Sequence, residues 1–217
     1  FRRVLFRSSG SLREKYFEML KSYARFSRKN QTTPAIGDPV GEPKFNVDGT
    51  AYMDAWGRPQ DDGPALRAIV LSRFANYLLS SGNADNIAFV SKWLYSSSIP
   101  ATTVVKTDLE YVAHHWVNPS FDAWEEVKGQ HFYHRLVQRR ALIEGARLAL
   151  RLKDNGASKF YLNQIKGIES EVAKHYDATK GQWLTTLNRV DGVDYKASNL
   201  DSITLLGVLH ALGEGDF

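Results

Sequence analysis

Apolar side chains recur at spacings of three and four residues along much of the chain, which is the periodicity of an amphipathic α-helix. The first such segment begins near Ser11, and its apolar positions are Leu12, Tyr16, Phe17, Leu20, Tyr23 and Phe26. Ser11 and Glu14 stand three residues apart, as in a capping box. The spacing therefore predicts a helix of about four turns that Ser11 caps.

The same periodicity predicts further helices, separated by loops of unequal length. Pro64 is expected to open one of them at the first helical position, which proline favours, and this helix is expected to end at Ser81-Gly82. The others are predicted over about residues 85–96, 100–117, 132–152, 157–175 and 201–212. Alternation typical of strands is scarce. The chain is therefore predicted to be all-α, built from helical hairpins, with its long loops gathered at one end.

Three segments lack helical periodicity. Residues 33–64 are rich in Pro and Gly, residues 120–129 are acidic, and residues 180–199 are irregular. The first of them carries Phe45 and Trp56, which makes it too aromatic for a flexible linker. Because long ordered loops in compact domains commonly carry function, a site is expected among these segments.

Composition narrows the class of protein. The chain has 217 residues, enough for one domain with its own core. No apolar run approaches the ~20 residues that span a bilayer, so neither a membrane protein nor a membrane partner is expected. Cysteine is absent, which excludes disulfides, zinc-thiolate sites and thiol nucleophiles. This absence does not decide the compartment, because large secreted domains fold without disulfides.

The net charge of +4 is concentrated at one end of the chain. Arg2, Arg3 and Arg7 lie in the first eight residues, and without them the balance is 25 − 24 = +1. Nucleic acid is therefore not an expected partner. The segment 1–8 also resembles a translated sequencing adaptor. We expect it to be an artefact, and the chain to be truncated at its start.

The segment 120–129 contains a cluster of carboxylates beside a tryptophan. Asp122, Glu125 and Glu126 lie within five residues, next to Trp124. Crowded like charges and an apolar wall both raise the pKa of a carboxyl group. A carboxyl group that stays protonated near neutral pH is suited to protonating a glycosidic oxygen. The alternative is an ordinary acidic helix start, favoured by the helix dipole.

The Pro/Gly-rich segment interleaves aromatic and polar side chains. Lys44 precedes Trp56, which is followed by Arg58, Gln60 and Asp62. Sugar binding needs a ring that packs on the apolar face of a pyranose and fixed polar groups for its hydroxyls. The alternative is a loop braced by Pro and Gly whose tryptophan fills part of the core.

Several segments together resemble the fungal-type glucoamylases of glycoside hydrolase family 15. They keep their order along most of residues 11–210, so the resemblance is far more specific than a single short motif. They are GEPKFNVDGTA at 41–51, WGRPQDDGPALR at 56–67, DLEYV at 108–112, FDAWEEVKG at 121–129, QRRALIEG at 138–145 and LDSITLLG at 200–207.

The resemblance implies a fold, an activity and roles for particular residues. The expected fold is part of an (α/α)6 barrel, and the expected activity is release of β-glucose, with inversion, from the non-reducing ends of starch, glycogen or maltooligosaccharides. Glu125 matches the general acid, Glu126 a substrate-binding carboxylate and Asp122 a supporting carboxylate. Trp56 matches a tryptophan that stacks near the acid, and Lys44 a lysine that reaches sugar hydroxyls.

Arg58 and Asp62 lie on the same family loop and are predicted to bind substrate, with no catalytic step assigned. Ala123 stands where the family usually has a larger apolar residue, and residues 53–55 replace a stretch of small residues. These departures remove no functional group.

The general base is expected outside this chain. An inverting hydrolase holds its acid and base ~6.5–9.5 Å apart on opposite faces of the scissile bond, so the adjacent Glu125 and Glu126 cannot serve as the pair. In the family the base lies far downstream, beyond Phe217, and an Arg-Asp pair that binds the terminal glucose lies upstream. Residues 9–217 are therefore expected to be part of a catalytic domain that lacks its start and its C-terminal part.

Two alternatives remain open. One is a glucosidase of the same fold with a different linkage preference, and the other is a catalytically inactive carbohydrate-binding or regulatory domain. The resemblance also implies secretion, with which the sequon at Asn30 agrees, and a monomer when full length.

No cofactor and no metal are predicted. The chain has no phosphate loop or dinucleotide fingerprint, and His131 and His134 have no third ligand at a metal-binding spacing. These two histidines are expected to be solvent-facing or hydrogen bonded.

Overall fold

The computed structural model describes residues 10–211, and the proposed adaptor segment 1–8 lies outside them. The helices are α1 Gly10–Thr32, α2 Asp62–Ser80, α3 Ala84–Phe89, α4 Val104–His115, α5 Phe132–Arg151, α6 Asn155–Ala173 and α7 Ile203–Ala211. A π-helical turn, Val90–Leu94, continues α3. The all-α prediction is confirmed, and no helix within the described residues is long and apolar enough to cross a membrane.

Helix α5 is the centre of the packing. It buries 15 of its 20 residues and packs against α2, α4, α6 and α7. Close approach to α4 depends on Gly145, where an added Cβ would lie 2.4 Å from Leu109 Cδ2. Because α2 is also largely buried whereas α6 exposes residues such as Leu162, α2 and α5 form an inner layer and α6 an outer one.

A buried ion pair links three of the helices. Asp108 on α4 is fully buried and accepts hydrogen bonds from Arg67 on α2, one of them 2.8 Å from Nε to Oδ2. The side-chain amide of Gln31 on α1 donates a third bond to Asp108 at 2.7 Å. The carboxylate therefore has partners on two other helices in a place from which water is excluded.

Short strands replace parts of two predicted loops. They are β1 Ser120–Phe121, β2 Val127–His131, β3 Tyr176–Asp177, β4 Gln182–Trp183 and β5 Thr186–Gly192. Strands β1, β2 and β5 form an antiparallel sheet in that order, and β3 pairs with β4. The expectation of an irregular segment over 180–199 was wrong for β5. Most of β5 is exposed, so it carries no apolar alternation that would have identified it.

Some helix boundaries also differ from the predictions. Helix α2 begins at Asp62, so Pro64 is the third residue of α2 and not its first. The cap at Ser11 stays a prediction, because the described residues begin at Gly10, within α1. Helix α4 begins only at Val104, after the cis bond between Ile99 and Pro100. Propensity and periodicity locate helices well but set their ends less accurately.

Candidate active site

The loop between α1 and α2 is held together by the guanidinium group of Arg58. Its Nε donates to Glu42 Oε2 at 2.7 Å, and its terminal nitrogens donate to the carbonyls of Tyr52 at 2.7 Å and Asp54 at 3.0 Å. Arg58 thus fixes the segment on either side of Trp56. Its predicted contact with substrate stays a prediction, and the contacts observed here are internal to the loop.

This loop docks on the first strand of the sheet. The backbone N–H of Phe121 donates to the carbonyl of Pro59 at 2.9 Å. The Phe121 ring lies against Gly57, where an added Cβ would be 2.9 Å from the ring. The glycine allows this contact because any side chain would collide with the ring. The docking sets the position of Trp56 relative to the segment that follows Phe121.

Trp56 and Glu125 meet across this junction. The indole Nε1 of Trp56 donates to Glu125 Oε1 at 2.9 Å. The Nζ atom of Lys44 lies 3.6 Å from the centroid of the Trp56 ring and 4.0 Å from that of Tyr52, a cation–π arrangement. The structure therefore brings together three residues that the sequence resemblance singled out, Lys44, Trp56 and Glu125.

Asp122 builds the turn that presents Glu125. Its carbonyl accepts from the N–H of Glu125 at 2.9 Å, and its Oδ1 accepts from the N–H groups of Glu126 at 2.7 Å and Val127 at 3.2 Å. Glu125 has φ +63°, a left-handed conformation that is unfavourable for residues with a Cβ atom. Such strain is commonly found at functional positions. A supporting role for Asp122 agrees with this geometry.

The acidic-helix-start alternative is excluded by the structure. Glu125 and Glu126 lie in the turn between β1 and β2, and α5 begins only at Phe132. The dipole of α5 therefore does not explain why carboxylates occur at these positions, because the effect of a helix dipole is limited to the terminal turn of the helix.

Glu126 is held by two residues that the sequence analysis did not identify. Its Oε1 accepts from the hydroxyl of Tyr195 at 2.7 Å, and its Oε2 pairs with Lys196. The hydrogen bond from Lys196 lowers the pKa of Glu126 below its usual range. Glu126 is therefore not the one carboxylate of this cluster whose pKa the crowding was expected to raise. The carboxylates are crowded, but an ammonium group lies among them.

Trp124 connects the turn to the start of α7. Its Nε1 donates to Asp201 Oδ1 at 2.9 Å, while Asp201 Oδ2 accepts from Lys196 at 2.8 Å. Asp201 belongs to the last of the sequence segments that carried the family resemblance. Its position in that segment was the signal that could have pointed to it.

Asp62 lies apart from the turn, buried at the start of α2. Its Oδ1 is 3.9 Å from His134 Nε2, and burial raises its pKa to about 6. Burial likewise raises the pKa of the neighbouring Asp61, which accepts from the Tyr111 hydroxyl at 2.9 Å, to about 6. Substrate binding by Asp62 stays a prediction that this buried position does not favour.

His131 and His134 are buried and hydrogen bonded, so the solvent-facing part of the expectation is wrong. His131 bonds the Ser120 carbonyl through Nε2 at 2.8 Å and the Thr186 hydroxyl through Nδ1 at 2.9 Å. His134 Nδ1 lies 3.0 Å from the Ser120 hydroxyl. Burial lowers the pKa of His134 to about 3, so the ring is neutral at the pH values at which most enzymes work.

This depressed pKa predicts a loss of stability in acid. Below about pH 6.5, the pKa of a free histidine, the unfolded chain takes up a proton that folded His134 refuses. The free energy of unfolding then falls by about 1.4 kcal/mol per pH unit for this one group, until the pH reaches its folded pKa. Between pH 6 and 4, we therefore expect the free energy of unfolding of His134→Asn to change less with pH than that of the unchanged protein.

Urea unfolding at a series of pH values measures this difference. Asp61 and Asp62 act in the opposite direction, because their raised pKa values let the folded state bind protons between about pH 6 and 4. Both remain in the variant, and repeating the comparison in an Asp62→Asn background removes the contribution of Asp62, which lies 3.9 Å from His134. If the unfolding free energy of the two proteins changed equally with pH, the lowered pKa of His134 would be contradicted.

Comparison with known proteins identifies the family of this chain. Residues 2–217 match the model of glycosyl hydrolases family 15. A glucoamylase of Blastobotrys adeninivorans is 38% identical over 91% of this chain. Glucoamylase 1 of Rhizopus oryzae is 37% identical over 92% of it. The chain spans 31% of the length of each of these relatives.

Solved structures share the fold. The glucoamylase of Saccharomycopsis fibuligera superposes with a TM-score of 0.77 at 27% identity, covering 95% of this chain and 44% of that one. The family 15 glucoamylase of Hypocrea jecorina gives 0.74 at 29% identity, covering 88% and 30%. The helical layers therefore correspond to part of the (α/α)6 barrel of these enzymes. The chain belongs to glycosyl hydrolases family 15, which confirms the resemblance of its sequence motifs.

Proposed function

We propose that this chain is part of an inverting glucoamylase. The enzyme would release β-glucose from the non-reducing ends of starch, glycogen and maltooligosaccharides by hydrolysing terminal α-1,4 bonds. The observation that carries the proposal is the placement of Glu125, which lies on a strained turn and accepts a hydrogen bond from Trp56. Membership of family 15 and the glucoamylase names of the matched relatives support it.

Each residue of the site has a role in the proposed reaction. Glu125 gives its proton to the glycosidic oxygen as the bond to the anomeric carbon breaks, so that the leaving sugar departs as an alcohol. Trp56 orients that carboxyl group through its indole N–H and offers a ring face for a pyranose. Lys44 donates to sugar hydroxyls, and Glu126 accepts from them.

The general base belongs to a part of the protein outside this chain in this proposal. Glu125 and Glu126 are adjacent, whereas the base must reach a water on the opposite face of the sugar, ~6.5–9.5 Å from the acid. The relatives are about three times as long as this chain, which spans 31% of their length. Secretion, and a monomeric state of the whole protein, remain predictions of the resemblance.

Digestion of maltotriose by the whole protein tests the proposal. Proton NMR of the fresh products should show β-glucose first, before it equilibrates with the α-anomer. Initial release of α-glucose would contradict inversion, and hydrolysis of isomaltose in preference to maltose would indicate another linkage. Binding of maltotriose without any hydrolysis would indicate a carbohydrate-binding domain instead.

The Trp56 hydrogen bond predicts a smaller effect that is specific to one atom. Trp56→Phe keeps an aromatic ring but removes the N–H that orients Glu125, so we expect kcat/KM for maltotriose to fall about tenfold, as for loss of one hydrogen bond. Trp116→Phe is a matched control, because its indole bonds Gln164 away from the turn. Equal activity of the two variants would show that the Trp56 N–H contributes nothing.

A further inference from the structure

Lys196 lies among three carboxylates from two separate parts of the chain. Its Nζ is 2.8 Å from Asp201 Oδ2, at the start of α7, and 3.8 Å from Asp122 Oδ2, in the turn after β1. It also pairs with Glu126 Oε2 in the same turn. One ammonium group therefore joins the acidic turn to α7, although 70 residues separate Glu126 from Lys196.

The neighbouring Tyr195 completes the hold on Glu126. Its hydroxyl donates to Glu126 Oε1 at 2.7 Å, so each oxygen of the carboxylate has one donor from the 195–196 pair. Each carboxylate oxygen has a second lone pair. Glu126 therefore keeps the capacity to accept a further hydrogen bond, in a direction that Tyr195 and Lys196 determine.

A cavity of about 180 Å³ lies beside this cluster. Its lining includes Asp122, Thr186, Arg189, Lys196, Asn199 and Asp201. The side chain of Lys196 is 22% exposed, so its charge is only partly screened by water. The cavity lining contains Lys196 and two of its carboxylate partners, Asp122 and Asp201, so the ammonium group lies at the edge of an open space.

We propose that Lys196, assisted by Tyr195, is a positioning residue for the reaction proposed above, because it orients the Glu126 carboxylate toward a sugar hydroxyl. This inference rests on that proposed function. Without the cation, Asp122, Glu126 and Asp201 would repel one another, and the turn would stay tied to the start of α7 only through the hydrogen bond from Trp124 to Asp201. Lys196 acts through Glu126 and forms no bond to the reacting atoms.

The charges around the cluster predict the direction of a pH effect. Asp122 and Glu126 face Lys196 from the turn, Asp201 faces it from the start of α7, and Arg189 lines the same cavity from β5. Removing the ammonium group takes away the hydrogen bond and the charge by which Lys196 lowers the pKa of Glu126 and of Asp201, so the pKa values of these two groups rise. Glu126 then becomes protonated at a higher pH and stops accepting from the sugar hydroxyl.

Steady-state kinetics of the whole protein on maltotriose test the inference. We expect Lys196→Met to raise KM about tenfold with a change in kcat of less than about threefold, and Lys196→Arg to restore most of the loss. The acidic limb of the kcat/KM profile should move to higher pH by about half a unit in Lys196→Met. Lys180→Met is the matched control, because it removes the same charge from an exposed lysine that pairs with Asp177, away from the cluster.

Two further variants keep the test decisive. Tyr195 is 72% exposed, so Tyr195→Phe should fold normally and raise KM about threefold through loss of one hydroxyl. In a Glu125→Gln background, calorimetry with maltotriose measures binding without turnover. Adding Lys196→Met to Glu125→Gln should raise the dissociation constant for maltotriose about tenfold.

Each outcome separates this inference from the proposed function. Kinetics and binding unchanged in Lys196→Met, or lost equally in Lys196→Met and Lys196→Arg, would overturn the role of Lys196 while glucoamylase activity stands. If Lys196→Met does not fold, an unchanged KM in Tyr195→Phe overturns it instead. If the unchanged protein neither binds nor hydrolyses maltotriose, the proposed function fails and the inference fails with it.

Discussion

Glu125→Gln should lower kcat on maltotriose by ~10²–10⁴-fold, the usual contribution of a general acid. The amide has nearly the size of the carboxyl group, and its oxygen accepts the same bond from the Trp56 indole that Glu125 accepts at 2.9 Å. It has no proton to give to a glycosidic oxygen, so the leaving sugar would have to depart as an alkoxide. The measurement is the initial rate of glucose release by the whole protein.

The loss is expected in kcat rather than in KM. Glu125 acts on the departing oxygen in the transition state, and ground-state binding of the sugar depends on other side chains. Glu169→Gln is the matched control, because this carboxylate of α6 is 48% exposed and pairs with Arg139 of α5, away from the turn that carries Glu125. Turnover within about threefold of the unchanged protein would rule out Glu125 as the acid.

The largest expected effect on stability is that of Asp108→Ala, which we expect to lower the free energy of unfolding by about 3–5 kcal/mol. The carboxylate is fully buried, and its removal leaves the Arg67 guanidinium without its acceptor, while the Gln31 amide keeps only its bond to the Val104 carbonyl. A buried charge with no partner is far less stable than either an intact pair or an apolar replacement. Urea unfolding followed by circular dichroism measures the change.

A surface pair provides the comparison for Asp108. Glu169→Ala breaks the exposed pair with Arg139 and should change the unfolding free energy by about 1 kcal/mol or less, since water solvates both charges. Similar losses of unfolding free energy in Asp108→Ala and Glu169→Ala would mean that the buried Asp108 pair stabilises the fold no more than a surface pair does. Glu125→Gln and Asp108→Ala also separate activity from stability, because Glu125 is exposed in its turn and Asp108 lies in the core.

The helical content followed from the sequence because it depends on local spacing. Apolar residues at intervals of three and four identified the buried face of α5 and the amphipathic faces of α1 and α6 without reference to any other part of the chain. The helix boundaries were predicted less accurately, as Pro64 shows, since α2 begins two residues before it. Strand β5 was missed because its exposed residues are stabilised by pairing with β2, which is a distant segment.

The sequence predicted some residues of the site and missed others. Lys44, Trp56 and Glu125 were named from the family resemblance, and the structure places them in contact. Lys196 and Tyr195 were not named, because they lie outside the motif segments and become relevant only when β5 and the loop after it fold back on the turn. The buried position of Asp62 was also not visible in a list of motifs.

The sequence by itself determined the helical class, the family and the identity of the carboxylates in the acidic turn, since these depend on periodicity and on motifs that are continuous along the chain. Only the tertiary structure decided which of those carboxylates meets a tryptophan and which meets a lysine. Those contacts join residues about 70 positions apart, such as Trp56 with Glu125 and Glu126 with Lys196. Charge and orientation at a site are set by neighbours in space, and distances along the chain do not reveal them.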